Sequence, residues 1–368
     1  MRLRRKAPGF MRRSEGVEAM KIGLTYDLRD VYLAEGYTEE ETAEFDRADT
    51  IEALERELRA LGHQTERIGR LKNLVERLAS GDCWDLVFNI AEGLWGSGRE
   101  AQVPALLDAY GIPYTFSDPL SLCVTLDKSV AKRLVRDAGL PTAPFVVVND
   151  LKDLPQVRLP WPIFAKPVRE GTGKGVSAAS KVGCSDELVK VCAELFAKFC
   201  QPVLLETFLP GREFTVGLLG SGRSTRALGV MEVVLRKNAD AEVYSYANKE
   251  WCEERVLYRL VDDDEAREAA RVAVESWKVL GCRDAGRIDL RSDDAGRPQF
   301  LEANPLAGLH PHHSDLPILC ALQGISYRKL IGAILDEARQ RVAGNVAFCE
   351  SLMSHGSWGT GATRERCA

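Results

Sequence analysis

Two short segments near the C-terminal end of the chain, RIDLR and FLEANP, carry oxygen ligands at strand spacing. In the first, Arg287, Asp289 and Arg291 fall on one face of an extended segment, and Ile288 and Leu290 take the other. In the second, Glu302 and Asn304 share a face. If the intervening SDDAGRP turns about Ala295-Gly296, Asp289 lies directly opposite Glu302, with Cβ atoms about 4.5–5.5 Å apart. Two carboxylates so close repel unless a cation sits between them or one is protonated. The solvated face of an ordinary hairpin is the plainer alternative for a lone pair. Asn304 adds a third oxygen donor, and a set of Asp, Glu and Asn without His or Cys suits Mg²⁺. Arg287, on the same face, is placed to stabilise an oxyanion beside the metal.

The candidate partners of such a metal are lysines. Lys166 ends the strand IFAKP, directly ahead of the glycine-rich EGTGKGV. That segment fits neither the P-loop spacing nor a dinucleotide fingerprint, and a flexible turn would read the same way. A strand-borne lysine followed by the backbone N–H donors of Gly171, Gly173 and Gly175 is nevertheless a sound phosphate clamp, to which Thr172 and Lys174 add a hydroxyl and a charge. Lys128 begins a helix, where the dipole disfavours cations, and a bound anion would remove the objection. Lys249 lies in the loop YSYANKEW. Either could be an exposed lysine, but three lysines beside a metal hairpin point to a triphosphate. In LLETFLPGREF, apolar Phe208 and Leu209 are flanked by Glu206 and Glu213. Apolar walls suit a purine face and acids suit an exocyclic amine or ribose hydroxyls, although an edge strand can carry the same pattern.

The elements that must position these groups read as α/β followed by α+β, a multidomain chain. KIGLTYD and DLVFNIAEG are strands separated by the helix DRADTIEALERELRALG, whose Ile51, Leu54, Leu58 and Leu61 share a face and whose stop is Gly62. With the helix REAQVPALLDAYG and IPYTFSD they form an N-terminal α/β domain over 20–120. A central unit over 121–206 holds the helix LDKSVAKRLVRDAGLP, the strands FVVV, IFAKP and PVLLETFL, and the helix SDELVKVCAELFAKFC with Ser185 as N-cap. Antiparallel signals and a long helix fill 207–345. Residues 1–19 read as a flexible extension or an over-long gene start, and 346–368 as a disordered tail.

Composition narrows the class. A chain of 368 residues with 45% hydrophobic content supports more than one packed domain. Its net charge of −5 is spread out, with no basic block beyond the opening residues, which disfavours nucleic acid as a partner. No apolar stretch is long enough for a membrane span or a signal peptide. The ten cysteines show neither C-x-x-C nor zinc spacing and read as reduced thiols of a cytoplasmic protein. A nicotinamide-dependent enzyme is disfavoured by the absence of a glycine fingerprint near Tyr26.

In order, LDKSVAKRLVRDAGLPTAPF, FAKPVREGTGKGVS, LLETFLPGREFTVG, GRIDL and FLEANP resemble the ATP-grasp superfamily, and within it the D-alanine:D-alanine ligases, over residues 85 to 340. The resemblance implies an ATP-grasp fold with an N-terminal pre-ATP-grasp domain. ATP would lie between two subdomains with Lys128, Lys166 and Lys249 toward its phosphates and Gly171 to Gly175 over them. Glu206, Phe208 and Leu209 would face adenine and Glu213 the ribose. Asp289, Glu302 and Asn304 would hold two Mg²⁺ ions, Mn²⁺ being possible. The implied reaction is phosphorylation of one amino acid's carboxylate, followed by attack of a second amino acid's amine. Arg287 matches the oxyanion arginine, with Thr172 and Gly308 beside the reacting centre. A homodimer is also implied.

Departures concentrate at the amino-acid positions. The family's first-strand Gly-Gly-x-Ser-x-Glu segment is missing, and Asp27, Asp30 or Glu35 is left as the substitute for its glutamate. In LWGSGREAQVP only Glu100 matches the family's Glu-Asp pair, and the family's closing-loop Lys-Tyr is Lys249-Glu250 here. PLAGLHPHHSDLP is one residue longer than its counterpart, so that Ser314 is the candidate carboxylate-binding serine, while His310, His312 and His313 are candidates for substrate contact ahead of zinc. A nucleotide-binding regulator without turnover is the competing class, and retention of Arg287 argues against it.

Overall fold

The structure, a computed structural model, describes residues 19–236 and 252–355. Lys249 and Glu250, most of the N-terminal extension and residues beyond 355 lie outside the described residues. Three sheets organise the described residues. The first is parallel, in the order β2-β1-β3, formed by β1 (Lys21–Tyr26), β2 (Gln64–Gly69) and β3 (Leu86–Ile90). Its buried run Leu86 to Ile90 is what a strand covered on both faces requires. β2, QTERIG, has too little apolar character to be read from sequence.

Helix Ala48–Ala60 covers one face through Ile51, Leu54 and Leu58, and ends as expected before Gly62, whose φ of +96° is left-handed. The final helix, Tyr327–His355, packs on the same core through Leu330, Ile331 and Ile334. Each such buried aliphatic side chain contributes about 1.5–3 kcal/mol. That helix continues past residue 345, where the sequence places the start of a disordered tail. Asp284, fully buried, clamps the far side of the interface by accepting from Phe116 N at 2.7 Å and from two nitrogens of Arg341.

The second sheet is antiparallel, in the order β4-β7-β5-β6, from β4 (Phe145–Val148), β5 (Ile163–Pro167), β6 (Lys181–Val182) and β7 (Val203–Thr207). Helix Ser185–Phe199 packs on it through Leu188, Cys192 and Leu195. Its N-cap is Cys184 rather than Ser185, without a side-chain cap; Asp186 and Glu187 lie in the first turn, where the dipole favours them, and Glu187 accepts from Gly183 N at 2.8 Å. The third sheet, also antiparallel, runs β10-β9-β8-β11-β12, from β8 (Glu213–Leu219), β9 (Arg226–Leu235), β10 (Val256–Val261), β11 (Ala285–Ser292) and β12 (Pro298–Asn304). Helix Asp264–Val279 covers one face with Trp277 at its centre. Helix Lys128–Asp137 belongs to this core, through Ala131 and Val135, although it precedes the second sheet in the chain. No single helix among the described residues is long and apolar enough to cross a membrane.

Candidate active site

The carboxylate hairpin is β11–β12. Asp289 does face Glu302, and Arg287 faces Asn304. The route to that register is not an uninterrupted ladder about Ala295-Gly296. From the tip, Ser292 pairs with Pro298 and Leu290 with Phe300, and a bulge then shifts the pairing so that Glu302, not Leu301, meets Asp289. The tip itself is an Asx turn in which Asp293 Oδ1 accepts from Ala295 N and Arg297 N, each at 3.0 Å. Asp289 also accepts from Thr215 Oγ1 on β8 at 2.9 Å, from Asn304 Nδ2 at 3.2 Å and from Arg287. Burial opposes the charge on Arg287, yet Asp289, Asp315 and Glu302 outweigh it and raise its pKa.

Lys128 sits at the first turn of its helix, but the dipole is answered by Asp127, which accepts from Ser129 N and Val130 N. Its Nζ donates to Glu170 O at 2.6 Å and lies 3.3 Å from Glu302. Lys166 reaches Glu206 at 2.7 Å. A cavity of about 100 Å³ is bounded by Lys128, Lys166, Gly173, Glu206, Phe208, Leu209 and Glu213 together with Asp289 and Glu302. Phe208 forms a flat wall, with Lys181 Nζ 4.4 Å and the Arg291 guanidinium 5.0 Å from its ring centre. Both carboxylate oxygens of Glu206 are engaged by lysines, Lys132 at 2.5 Å and Lys166 at 2.7 Å. Thr207 Oγ1 borders this cavity, buried and without a hydrogen-bond partner.

A second cavity, of about 210 Å³, adjoins the first, and Lys128 and Glu302 border both. Its walls include Gly171, Thr172, Arg287, Asn304, Gly308, His310, His313, Ser314 and Glu100. Thr172 holds a left-handed φ of +52°. Ser314 Oγ accepts from His310 N at 3.0 Å and leaves Gly308 no room for a Cβ, which would come within 2.8 Å of it. The His310 ring meets Asp49 at 3.2 Å, and its centre lies 6.4 Å from that of His312 and 6.0 Å from that of His313. Gly175 borders neither cavity. Its φ of +73° and its packing on Pro167 and Phe199, which a Cβ would strike, give it a structural reason to be glycine.

The three acids put forward as substitutes for the missing glutamate do not reach this cavity. Asp27 accepts from Tyr32 Oη at 2.5 Å and from Gly93 N at 2.8 Å, Glu35 pairs with Arg70, and Asp30 is exposed. From the N-terminal part of the chain the acids that line it are Glu44, Asp46 and Glu92, beside Glu100; Glu302 and Asp315 line it from the other side. Glu44 takes Gly171 N at 2.6 Å, Lys174 at 3.2 Å and Arg99 at 3.1 Å, tying the glycine loop to the connections that flank the N-terminal sheet. Burial would raise Glu44, but Arg99 and Lys174 pull it below the ordinary range. Burial, then Glu100 and Glu44, push Glu92 well above its usual value, and Glu100 rises to about 7, chiefly by burial. Glu44 and Asp46 lie in the connection ahead of helix Ala48–Ala60, and Glu92 in the one that follows β3, with no periodicity to flag any of them.

A carboxylate hairpin, a strand lysine and a glycine loop, gathered where two antiparallel sheets meet, define an ATP-grasp fold. Solved structures agree. A D-alanine–D-alanine ligase from Bacillus anthracis complexed with ATP superposes with a TM-score of 0.66 at 20% identity, covering 89% of this chain and all of that one. The VanG D-Ala:D-Ser ligase of Enterococcus faecalis gives 0.66 at 20%, covering 87% of this chain and all of that one. The D-ala D-ala ligase C-terminus family matches residues 134–336. The D-alanine–D-alanine ligase of Bordetella petrii is 35% identical over 276 residues, 74% of this chain and 80% of that protein. The chain belongs to the D-alanine–D-alanine ligase family.

Proposed function

We propose that the protein is an ATP-dependent ligase that activates a carboxylate and joins it to an amine, with D-alanine as the first substrate to test. The observation that supports this reading is the junction of the two cavities at Lys128 and Glu302, with a lysine-lined cavity and a larger one sharing the carboxylate hairpin. The lining of the smaller cavity has the chemistry of a nucleotide site. It has an aromatic wall in Phe208, cations in Lys128 and Lys166, and an unpartnered hydroxyl in Thr207.

Asp289, Glu302 and Asn304 offer three oxygen donors on one face, a hard set that fits Mg²⁺. ATP with its metal supplies the phosphoryl group that activates the acid. The chain's own residues position and neutralise. Lys128 and Lys166 face the phosphates, the Gly171–Gly173 backbone covers them, and Arg287 offers its guanidinium where negative charge develops during amine attack. Thr172, Gly308 and Ser314 line the pocket for the second substrate, with His310 and His313 at its edge.

A coupled assay for ADP release against a panel of D- and L-amino acids tests the reading. Turnover with a pair of D-amino acids supports it, and no stimulation by any amino acid pair refutes it. A second reading, ligation of a different carboxylate or amine, is favoured by Glu92 and Glu100, two acids with raised pKa values that line the larger cavity. Mass spectrometry of the product separates the two.

A further inference from the structure

Lys132 has no part in the chemistry described above, yet it is completely buried, as few lysines are. It lies one helical turn beyond Lys128, on the same face. Its Nζ is 2.5 Å from Glu206, donates to Phe300 O at 3.3 Å and lies 5.3 Å from the centre of the Phe145 ring. The other oxygen of Glu206 holds Lys166 at 2.7 Å. Glu302 and Glu213 act on Lys166 from farther away. Burial and the neighbouring Lys166 lower the pKa of Lys132, and Glu206 opposes them. With both lysines protonated the trio carries two positive charges and one negative charge; Lys166 and Glu206 reach the cavity wall, and Lys132 lies behind them.

We infer that Lys132 is a positioning residue for the nucleotide pocket: by occupying one oxygen of Glu206 it prevents that carboxylate from neutralising Lys166, and so preserves one net positive charge for an anionic phosphate chain. This inference rests on the reading of the smaller cavity as an ATP site. Without Lys132, Glu206 would be free to take Lys166 with both oxygens, and the pair would be neutral. A purely structural lysine would affect every ligand alike. A charge-balancing lysine affects phosphate-bearing ligands and spares the bare nucleoside.

Isothermal titration of the full chain with ATP and with adenosine, both with Mg²⁺, reads this difference. Lys132→Met is expected to weaken ATP about tenfold or more, the effect of one unit charge in a partly screened site, with adenosine changed less than about twofold. The double variant Lys132→Met, Glu206→Gln restores the trio's charge to that of the wild type and is expected to recover most of the preference for ATP. If Lys132→Met does not fold, the double variant alone carries the test, since it should prefer ATP as the wild type does. Equal loss for both ligands, an unchanged preference in Lys132→Met, or no recovery in the double variant overturns the inference. A wild type that shows no preference for ATP over adenosine refutes the ATP-site reading itself, which separates the two failures.

Discussion

Glu206→Gln should destabilise the protein severely at neutral pH. The side chain is 2% exposed, with Lys132 and Lys166 at 2.5 and 2.7 Å. Burial alone would raise its carboxyl, but the two lysines hold it at about 2, against an ordinary 4.5. At about 1.4 kcal/mol per pKa unit, the ionised form is favoured over the protonated one by about 3 kcal/mol. Removing one member of a buried pair, which strands the opposite charge, costs about 3–5 kcal/mol by general experience, a similar size. The folded pKa lies below the unfolded one, so the stabilisation is complete above the unfolded value and is lost as pH falls toward about 2. Urea titration followed by far-ultraviolet circular dichroism measures the effect as a shift in midpoint at unchanged slope. The difference from wild type should be about 3 kcal/mol or more at pH 7 and roughly 1 kcal/mol smaller at pH 3.5. A loss below about 1 kcal/mol at pH 7 would refute the claim that the two lysines are held by this carboxylate.

Asp289→Asn and Glu302→Gln should each lower turnover about 100-fold or more while leaving the circular dichroism spectrum unchanged, since they remove charged metal ligands. Steady-state ADP release measures this, and unchanged activity would remove the metal assignment. Glu100 has a folded pKa raised to about 7, so the folded state keeps a proton that the unfolded state has lost, and stability falls as pH rises from about 4.5 to 7. Glu100→Gln should therefore be more stable than wild type at pH 8 and equal to it at pH 4, as read from thermal melts. Glu44→Ala removes the carboxylate that holds Gly171 N, Lys174 and Arg99. Limited proteolysis should then cut between residues 169 and 177 several-fold faster than in wild type, and an unchanged rate would show that the glycine loop does not need this tie.

The chemistry of the hairpin was legible because strand periodicity alone decides which side chains share a face. Arg287 and Asp289 on one strand, and Glu302 and Asn304 on the other, needed only the alternation of β-structure and a turn between them. The amine-side acids were not legible. Glu44 and Glu92 sit in connections without periodicity, and only tertiary packing, which sets Glu44 against the glycine loop, brings them to the larger cavity. Asp27, Asp30 and Glu35 do not line that cavity, because nearness to the first strand does not determine which acids face inward.

The sequence by itself determined the local elements and the donor types: a strand lysine ahead of a glycine loop, paired carboxylates on a hairpin, and a Phe-Leu wall between acids. Tertiary structure alone decided three things. It set the hairpin register through a bulge, since Leu290 pairs with Phe300 and an uninterrupted ladder would have turned Leu301 toward Asp289. It moved helix Lys128–Asp137 onto the third sheet, which carries Lys128 to Glu302 and Lys132 to Glu206. It also placed both carboxylate oxygens of Glu206 on lysines. Each of these depends on contacts between residues far apart in the chain, and local pattern has no physical access to such contacts because it is set by backbone geometry alone.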